Sequence, residues 1–333
     1  YFKDVLLSQS KYVFCGSALN FGVASGTAVT TTSAQNFASN ANSYTQALNF
    51  SLASGSDGTS LTDETKITGY DLFSSSEDVD VSFLIGGDAA LTLATKLIAV
   101  AESRKDCLAV LSPEKSDVTG SGIVNPGDEA RAVVAYRNSL SSSSYAVLDS
   151  GWKYQYDKYN DIYRYIPMNG DTAGLMVRSD TTRDPWYSPA GFNRGNYKNV
   201  VKVAYNPNKA ERDLLYKAGV NPVVTFPGQG TVLFGDKTLL KQPSAFDRIN
   251  VRRLFIVLEK AISTAAQSAL FEFNDDFTRA QFTNIVEPFL RDVKGRRGIT
   301  DFRVVCDDTN NTSQVIDSNS FVGDIYIKPA RSI

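Results

Sequence analysis

Hydrophobic and polar positions along this chain follow two periods in turn, and the switches between them mark its elements. Val79-Asp-Val-Ser-Phe-Leu-Ile85 is apolar enough for a buried strand, the apolar residues from Ala89 to Ser103 recur at helical spacing, and Cys107-Leu-Ala-Val-Leu111 predicts a second buried strand. The three together predict a βαβ unit. Asp88 stands where a helix cap belongs, Arg104 and Lys105 stand at the end that suits cations, and Pro113 stops the second strand. A helix around Gly127 to Ser139 and a strand at Tyr145 to Leu148 extend the pattern to an α/β layer with a right-handed crossover.

Further on, Trp152 to Ile166 carries five tyrosines at roughly period two around a polar turn at Lys158 to Asp161, which predicts a hairpin. Lys209 to Gly219 predicts a charged helix, Val232 to Phe234 a strand, and Ile249 to Gln267 a long helix. Val251, Leu254, Phe255, Leu258 and Ile262 form one apolar stripe along that long helix. A helix from Phe277 to Val293 contains Pro288, which is expected to kink or divide it. Phe302 to Cys306 and Phe321 to Ile327 read as strands linked by a turn at Asp307 to Asn311. Near the start, Lys11 to Cys15 reads as a short strand. The Ser-, Thr- and Asn-rich stretch from Asn20 to Ser60 reads as an exposed excursion with a turn at Ser54 to Gly58.

Composition narrows the class. A chain of 333 residues suggests two domains. Its net charge of -2 gathers neither nucleic acid nor a membrane surface, so no direct partner of either kind is expected. Cys15, Cys107 and Cys306 are odd in number and far apart, which fits buried thiols in a reducing cytoplasm better than disulfides. The chain has no histidine, so the usual neutral-pH base and the commonest zinc ligand are missing; an enzyme is not expected, nor a cofactor. It opens at Tyr1 without a signal sequence, as an internal fragment of a longer chain would.

Several segments invite a chemical reading and then resist it. Gly230-Thr-Val-Leu-Phe-Gly-Asp-Lys-Thr238 nearly matches a phosphate-binding loop. However, Asp236 would set a carboxylate against the phosphates, and the residues between the glycines read as a strand. The tyrosines would make a stacking platform for sugars or bases only if they shared a face, and alternation is expected to prevent one face from holding all five. Asp307, Asp308, Asn310 and Asn311 lack the glycine and glutamate of a calcium loop. Glu272, Asp275 and Asp276 read as solvated charge in a polar turn. The most suggestive cluster is basic: Arg291, Lys294, Arg296 and Arg297 end a helix in an otherwise acidic protein. They suit either the helix dipole or an acidic partner. Arg252 and Arg253, beside the apolar stripe, are expected to anchor intersubunit or interdomain ion pairs.

Trp186-Tyr-Ser-Pro-Ala-Gly-Phe-Asn-Arg-Gly195, Gly235-Asp-Lys-Thr238, Phe246-Asp-Arg-Ile-Asn-Val-Arg-Arg-Leu254 and Phe271-Glu-Phe-Asn274 follow one another in an order that resembles the contractile phage tail sheath proteins, most closely the T4-like group. Tyr154 to Asp161, Arg303 to Asp307 and Pro329 to Ile333 are similar to that group too. The likeness covers about residues 70 to 333. It implies a virion protein, assembled in the host bacterial cytoplasm, whose subunits stack as hexameric rings in a helical sleeve. The sleeve surrounds a tail tube, meets baseplate and tail terminator proteins, and contracts to drive the tube through the bacterial envelope. It also implies arms at both chain ends that add strands to sheets of neighbouring subunits. The expected fold is an α/β domain, a βαβ-containing mixed sheet flanked by helices, followed by an α+β C-terminal assembly domain. Residues 1–65 would close a protruding domain and its linker, 66–195 form the α/β domain, and 196–333 form the assembly domain facing the tube. The family's N-terminal arm and first protruding domains are absent, and the family continues past the position of Ile333 into a further strand. A sheath from a tailocin or secretion machine, an α/β nucleotide-binding protein and a carbohydrate-binding tail protein are the alternatives.

Overall fold

The computed structural model describes Gly58, residues 61–120 and residues 122–332. The strand expected at Lys11 to Cys15, and nearly all of the excursion from 20 to 60, lie outside the described residues. The first half runs α1 (Asp63–Asp71), β1 (Phe83–Ile85), α2 (Leu91–Arg104), β2 (Leu108–Leu111), α3 (Lys115–Thr119), α4 (Asp128–Ser139) and β3 (Ala146–Leu148). Where the sequence suggests a mixed sheet, these three strands are parallel, in the order β1-β2-β3. Both connections carry helices, and parallel neighbours need such crossovers.

Period-two alternation divides the sheet between two helix layers. Leu84, Ala109, Leu111, Ala146 and Leu148 face Leu93 and Leu97 of α2 and Ala130 and Val133 of α4. Phe83, Leu108, Val110 and Val147 face the other way, onto Ala173, Met176 and Ile249. Each fully buried leucine or valine contributes roughly 1.5–3 kcal/mol, so a one-residue slip in register would forfeit several such contributions.

The ends of the βαβ unit differ from the sequence reading. β1 is shorter than Val79 to Ile85, because the Val79 carbonyl accepts from Arg104 Nη2 at 2.8 Å and is not paired with β2. Arg104 is buried, not set out at the helix end. It also takes the Phe73 carbonyl at 2.7 Å and pairs with Asp106 at 2.7 Å. Asp88 is not the cap of α2. Ala90 holds that position without a side-chain bond, and the Leu91 N–H donates to Glu114 Oε1 at 3.3 Å.

Next come β4 (Trp152–Asp157), β5 (Ile162–Pro167), α5 (Asn169–Thr182), β6 (Lys202–Val203), α6 (Lys209–Ala218), β7 (Val223–Phe226) and β8 (Gly230–Leu233). β4 and β5 form the expected hairpin, with Tyr154 opposite Tyr165 and Tyr156 opposite Tyr163. α6 is held by a reciprocal cap, Asn208 Oδ1 accepting from the Glu211 N–H and Glu211 Oε2 from the Asn208 N–H, and Gly219 ends it in the left-handed region. Leu215, Val220 and Leu239 join the core under α2 and α4.

The last part contains α7 (Ile249–Ala266), α8 (Asp276–Gly295), β9 (Ile299–Val305), α9 (Ser313–Asp317) and β10 (Asp324–Pro329). Ile249, at the start of α7, packs on the parallel sheet. Leu254 and Leu258 pack in a second core with Trp186, Phe282, Val286, Leu290, Val293 and Ile299. Helix α7 therefore spans both cores. Pro288 does not divide α8, which continues for 20 residues. The cost of one lost backbone bond is offset by Val286, Leu290 and Val293, buried on either side of the proline.

Candidate functional site

Segments far apart in the sequence, three of them among those that carry the family resemblance, meet at one buried carboxylate, Asp236. Strand β8 ends at Leu233 and delivers Asp236 into the interior, where it is 6% exposed. Arg248 Nη1 donates to its Oδ1 at 2.7 Å, and the hydroxyls of Ser188 and Ser332 donate to Oδ2 at 3.1 and 2.6 Å. The Asp236 carbonyl accepts the first N–H of α7, from Ile249, at 2.8 Å. The Trp186 to Gly195 loop, the start of α7 and the end of the chain are thus tied to one acid. The sequence marked Asp236 only as a misfit in a phosphate loop, and no local pattern pairs it with Ser332, 96 positions away.

Close packing holds this loop in place. The Gly191 N–H donates to the Leu233 carbonyl at 2.9 Å, and the Leu233 N–H to the Gly195 carbonyl at 2.8 Å. A side chain at Gly195 would put its Cβ 2.8 Å from Gly191 backbone atoms. At the other end, Trp186 Nε1 donates to the Arg296 carbonyl at 3.1 Å, and its ring lies against Gly298, where a Cβ would come within 3.0 Å of it. The remaining members of the near-phosphate loop are also engaged. Lys237 Nζ donates to the Tyr216 carbonyl at 2.9 Å and lies 4.3 Å from the Tyr216 ring, while the Thr238 hydroxyl donates to the Phe246 carbonyl at 2.8 Å.

A second buried acid, Asp149, closes the carboxyl end of the parallel sheet, the place where α/β proteins commonly bind ligands. The Ser112 hydroxyl donates to both of its oxygens at 2.8 and 3.0 Å, and the Gly151 N–H donates at 3.1 Å. Thr172 of α5 completes the shell and bonds the Tyr197 hydroxyl at 2.8 Å. Complete burial pushes the Asp149 carboxyl up to about 7 against the pull of these bonds.

Arg252 and Arg253 are both buried within the chain. The Arg252 guanidinium lies between the rings of Tyr145 and Phe246, 4.1 and 4.0 Å from their centroids, and donates to the Tyr145 hydroxyl at 3.0 Å. Arg253 forks onto Asp180 of α5 at 2.7 and 2.6 Å. Both fasten α7 to the layer beneath it. The basic end of α8 stays at the surface but is largely matched by acids: Arg291 with Glu287 at 3.6 Å, Lys294 with Asp301 at 3.0 Å, and Arg296 with Asp292 and Asp184 at 2.5 and 2.8 Å. Arg297, with left-handed backbone at φ 67°, has no carboxylate partner among the described residues.

No face holds all five tyrosines, as expected, although alternation is not the reason, and one turn departs from the sequence reading. Tyr154, Tyr156, Tyr163 and Tyr165 share one face of the hairpin, because i and i+2 residues on paired strands point the same way; only Tyr159, in the turn, is excluded. The turn between α7 and α8 is not simply polar. Phe271, Phe273 and Phe277 are 106%, 83% and 76% exposed among its acids. Strict alternation of aromatic and polar residues from Phe271 to Asn274 was the available signal. Cys107 is buried, whereas Cys306 is only partly so.

Comparison with known proteins places these features. A family model described as phage tail sheath protein central domain matches residues 65–239, and one described as phage tail sheath C-terminal domain matches 241–333. The tail sheath protein of Vibrio phage KVP40 is 44% identical over 302 residues, covering 85% of this chain and 45% of that protein. The tail sheath protein of Enterobacteria phage T4 is 43% identical over 277 residues, covering 79% and 42%. The chain thus spans less than half the length of these relatives. Among solved structures, the sheath complex of the extracellular contractile injection system PVC in its contracted state matches with a TM-score of 0.65 at 19% identity, over 76% of this chain and 68% of that one. The contracted helical sheath of the anti-feeding prophage matches at 0.64 and 17%, over 81% and 72%. That likeness is one of fold.

Proposed function

Because the chain belongs to the phage tail sheath family, we propose that it forms the body of a contractile sheath subunit, which polymerises as stacked hexameric rings in a helical sleeve around a tail tube. Its work is mechanical: contraction of the sleeve drives the tube through the bacterial envelope, and no catalytic step belongs to this chain. The partners are other copies of the subunit, the tube, and the baseplate and terminator at the two ends. The place of action is the virion tail, after assembly in the host cytoplasm.

One observation carries the reading for these residues. β9 and β10 form a two-stranded antiparallel sheet with no further strand on either side among the described residues. Its inner face is held by Phe302, Val304, Ile325 and Ile327 against the second core. A rigid sheet with two open edges is a template for strands from neighbouring chains, and strand addition gives continuous linkage through a lattice whose subunits move. Residues 1–65 are assigned to the end of a protruding domain and its linker, 66–195 to the α/β body and 196–333 to assembly against the tube. The packing of Leu215, Val220 and Leu239 into the first core supports moving that last boundary towards residue 240.

Arg291, Lys294, Arg296 and Arg297 remain the candidate contact with an acidic tube or neighbour, with Arg297 the best placed because its charge is unmatched. Arg252 and Arg253 act instead through α7, holding the two cores in one frame. Hydrogen exchange on the full chain tests the linkage. Amides of Ile299–Val305 and Asp324–Pro329 are expected to gain protection when subunits enter the polymer. Unchanged exchange there would show that the lattice is linked elsewhere.

A further inference from the structure

Two exposed aromatic surfaces of opposite charge lie on this one chain. The first is the turn between α7 and α8 together with the first two residues of α8. Here Phe271, Phe273 and Phe277 project outward beside Glu272, Asp275 and Asp276, all of them exposed. This turn is held firmly. Asn274 Nδ2 donates to Asn311 Oδ1 at 3.0 Å and to the Ser320 carbonyl at 2.9 Å, and Asp275 caps α8 by accepting the Thr278 N–H at 2.9 Å. Phe271 has left-handed backbone, φ 68°, uncommon for a bulky side chain. The phenyl groups therefore stand in water on an anchored backbone, with no core of their own to fill.

The second surface is a cleft of about 830 Å³ beside the Asp236 junction. Its aromatic lining is Phe234 and Tyr216, with the Arg212 guanidinium beside them, 5.8 Å from the Phe234 ring; next to the cleft, Phe226 meets Phe234 and Phe192 edge-on at 5.4 and 5.2 Å. Arg194, Lys209 and Arg331 line the same cleft. Of its two acids, Asp236 is taken by Arg248, which leaves Asp213 against four cations.

We infer that the acidic phenylalanine turn of one copy seats in the basic aromatic cleft of the next. This rests on the assembly reading and adds the contact it lacks. Aromatic anchors in a cleft with complementary charge at the rim have the composition of a specific interface. The two patches share no residue, so the contact is head-to-tail, and repeating it builds a ring where the rotation closes and a helical polymer where it does not.

A charge exchange in the full chain tests the pairing. Glu272→Lys with Asp276→Lys on the turn, or Lys209→Glu with Arg212→Glu at the cleft, should each abolish pelletable tubes while circular dichroism stays unchanged, and all four together should restore them. Cross-linking supplies an independent reading: Phe271→Cys with Phe234→Cys, treated with a short bismaleimide, should give a ladder of covalent oligomers that either single variant lacks. Tubes that survive both reversals, or a combination that fails to restore them, overturn the pairing but leave the assembly reading intact, as does a missing ladder in assembled protein. Wild-type chain that forms no polymer overturns both.

Discussion

The guanidinium of Arg253 closes on both carboxylate oxygens of Asp180, at 2.7 and 2.6 Å, and so fastens α7 to α5 across the second face of the parallel sheet. The partners are unequally buried, with side-chain exposures of 7% for Arg253 and 31% for Asp180. Removing the acid strands a buried charge, whereas removing the base leaves an acid that water can reach. Asp180→Ala should therefore cost about 3 kcal/mol, and Arg253→Met less than about 2 kcal/mol. Urea unfolding of both variants and of the double variant checks this, and equal costs would contradict it.

Gly298 offers a probe of the second core. A methyl group there would come 2.7 Å from Val293 and 3.0 Å from the Trp186 ring, so Gly298→Ala should displace the indole and destabilise by roughly 1–3 kcal/mol. Tryptophan emission and the melting temperature should shift together. An unchanged spectrum would mean that the ring is less tightly held than its contacts suggest.

Asp149 predicts a pH dependence with a definite sign. Burial raises its folded carboxyl to about 7, while the unfolded chain releases that proton near pH ~4. Between those values the native state holds a proton that the unfolded state has lost, so this group's contribution to stability falls as pH rises and is lost above about 7. The urea midpoint should drop between pH 5 and pH 8. Asp149→Asn, which mimics the neutral acid, should flatten that slope; an identical slope in the variant would rule Asp149 out as its source.

The two described thiols should react in a fixed order. Cys107 is buried and pushed up to about 12 by desolvation, while Cys306 is only partly buried, with a smaller rise of the same cause. Peptide-resolved alkylation of the native protein should modify Cys306 well before Cys107. The reverse order would place the opening of the βαβ core ahead of any motion at the C-terminal sheet.

How much of this was legible in the sequence depended on whether the signal was local. The βαβ unit, the tyrosine hairpin and α7 were readable, because period two or period 3.6 persists over enough residues in each. Helix α5 was not. Asn169 to Thr182 contains two glycines and six serine, threonine or aspartate residues, all poor helix formers, and its helical spacing of Ala173, Met176 and Ser179 is visible only once their burial is known. The cap of α2 came from Glu114, 23 positions beyond Leu91. The surface basic cluster at the end of α8 was visible as charge. Its neutralisation by Asp184 and Asp301 was not, because those partners reach it only through the fold. The resemblance segments pointed to the family only as an ordered set, each being weak alone, and their convergence on Asp236 is a property of the folded chain.

If this chain is the body of a polymerising sheath subunit, tube formation depends on it. Negative-stain electron microscopy of the full chain, taken as these residues extended at both ends to the length of the tail sheath relatives, beside residues 61–333 alone and with no tube protein present, tests it most directly. Hollow striated tubes from the full chain and dispersed particles from the shorter one are the expected result. Dispersed particles from both, at concentrations where subunits are crowded together, would contradict it.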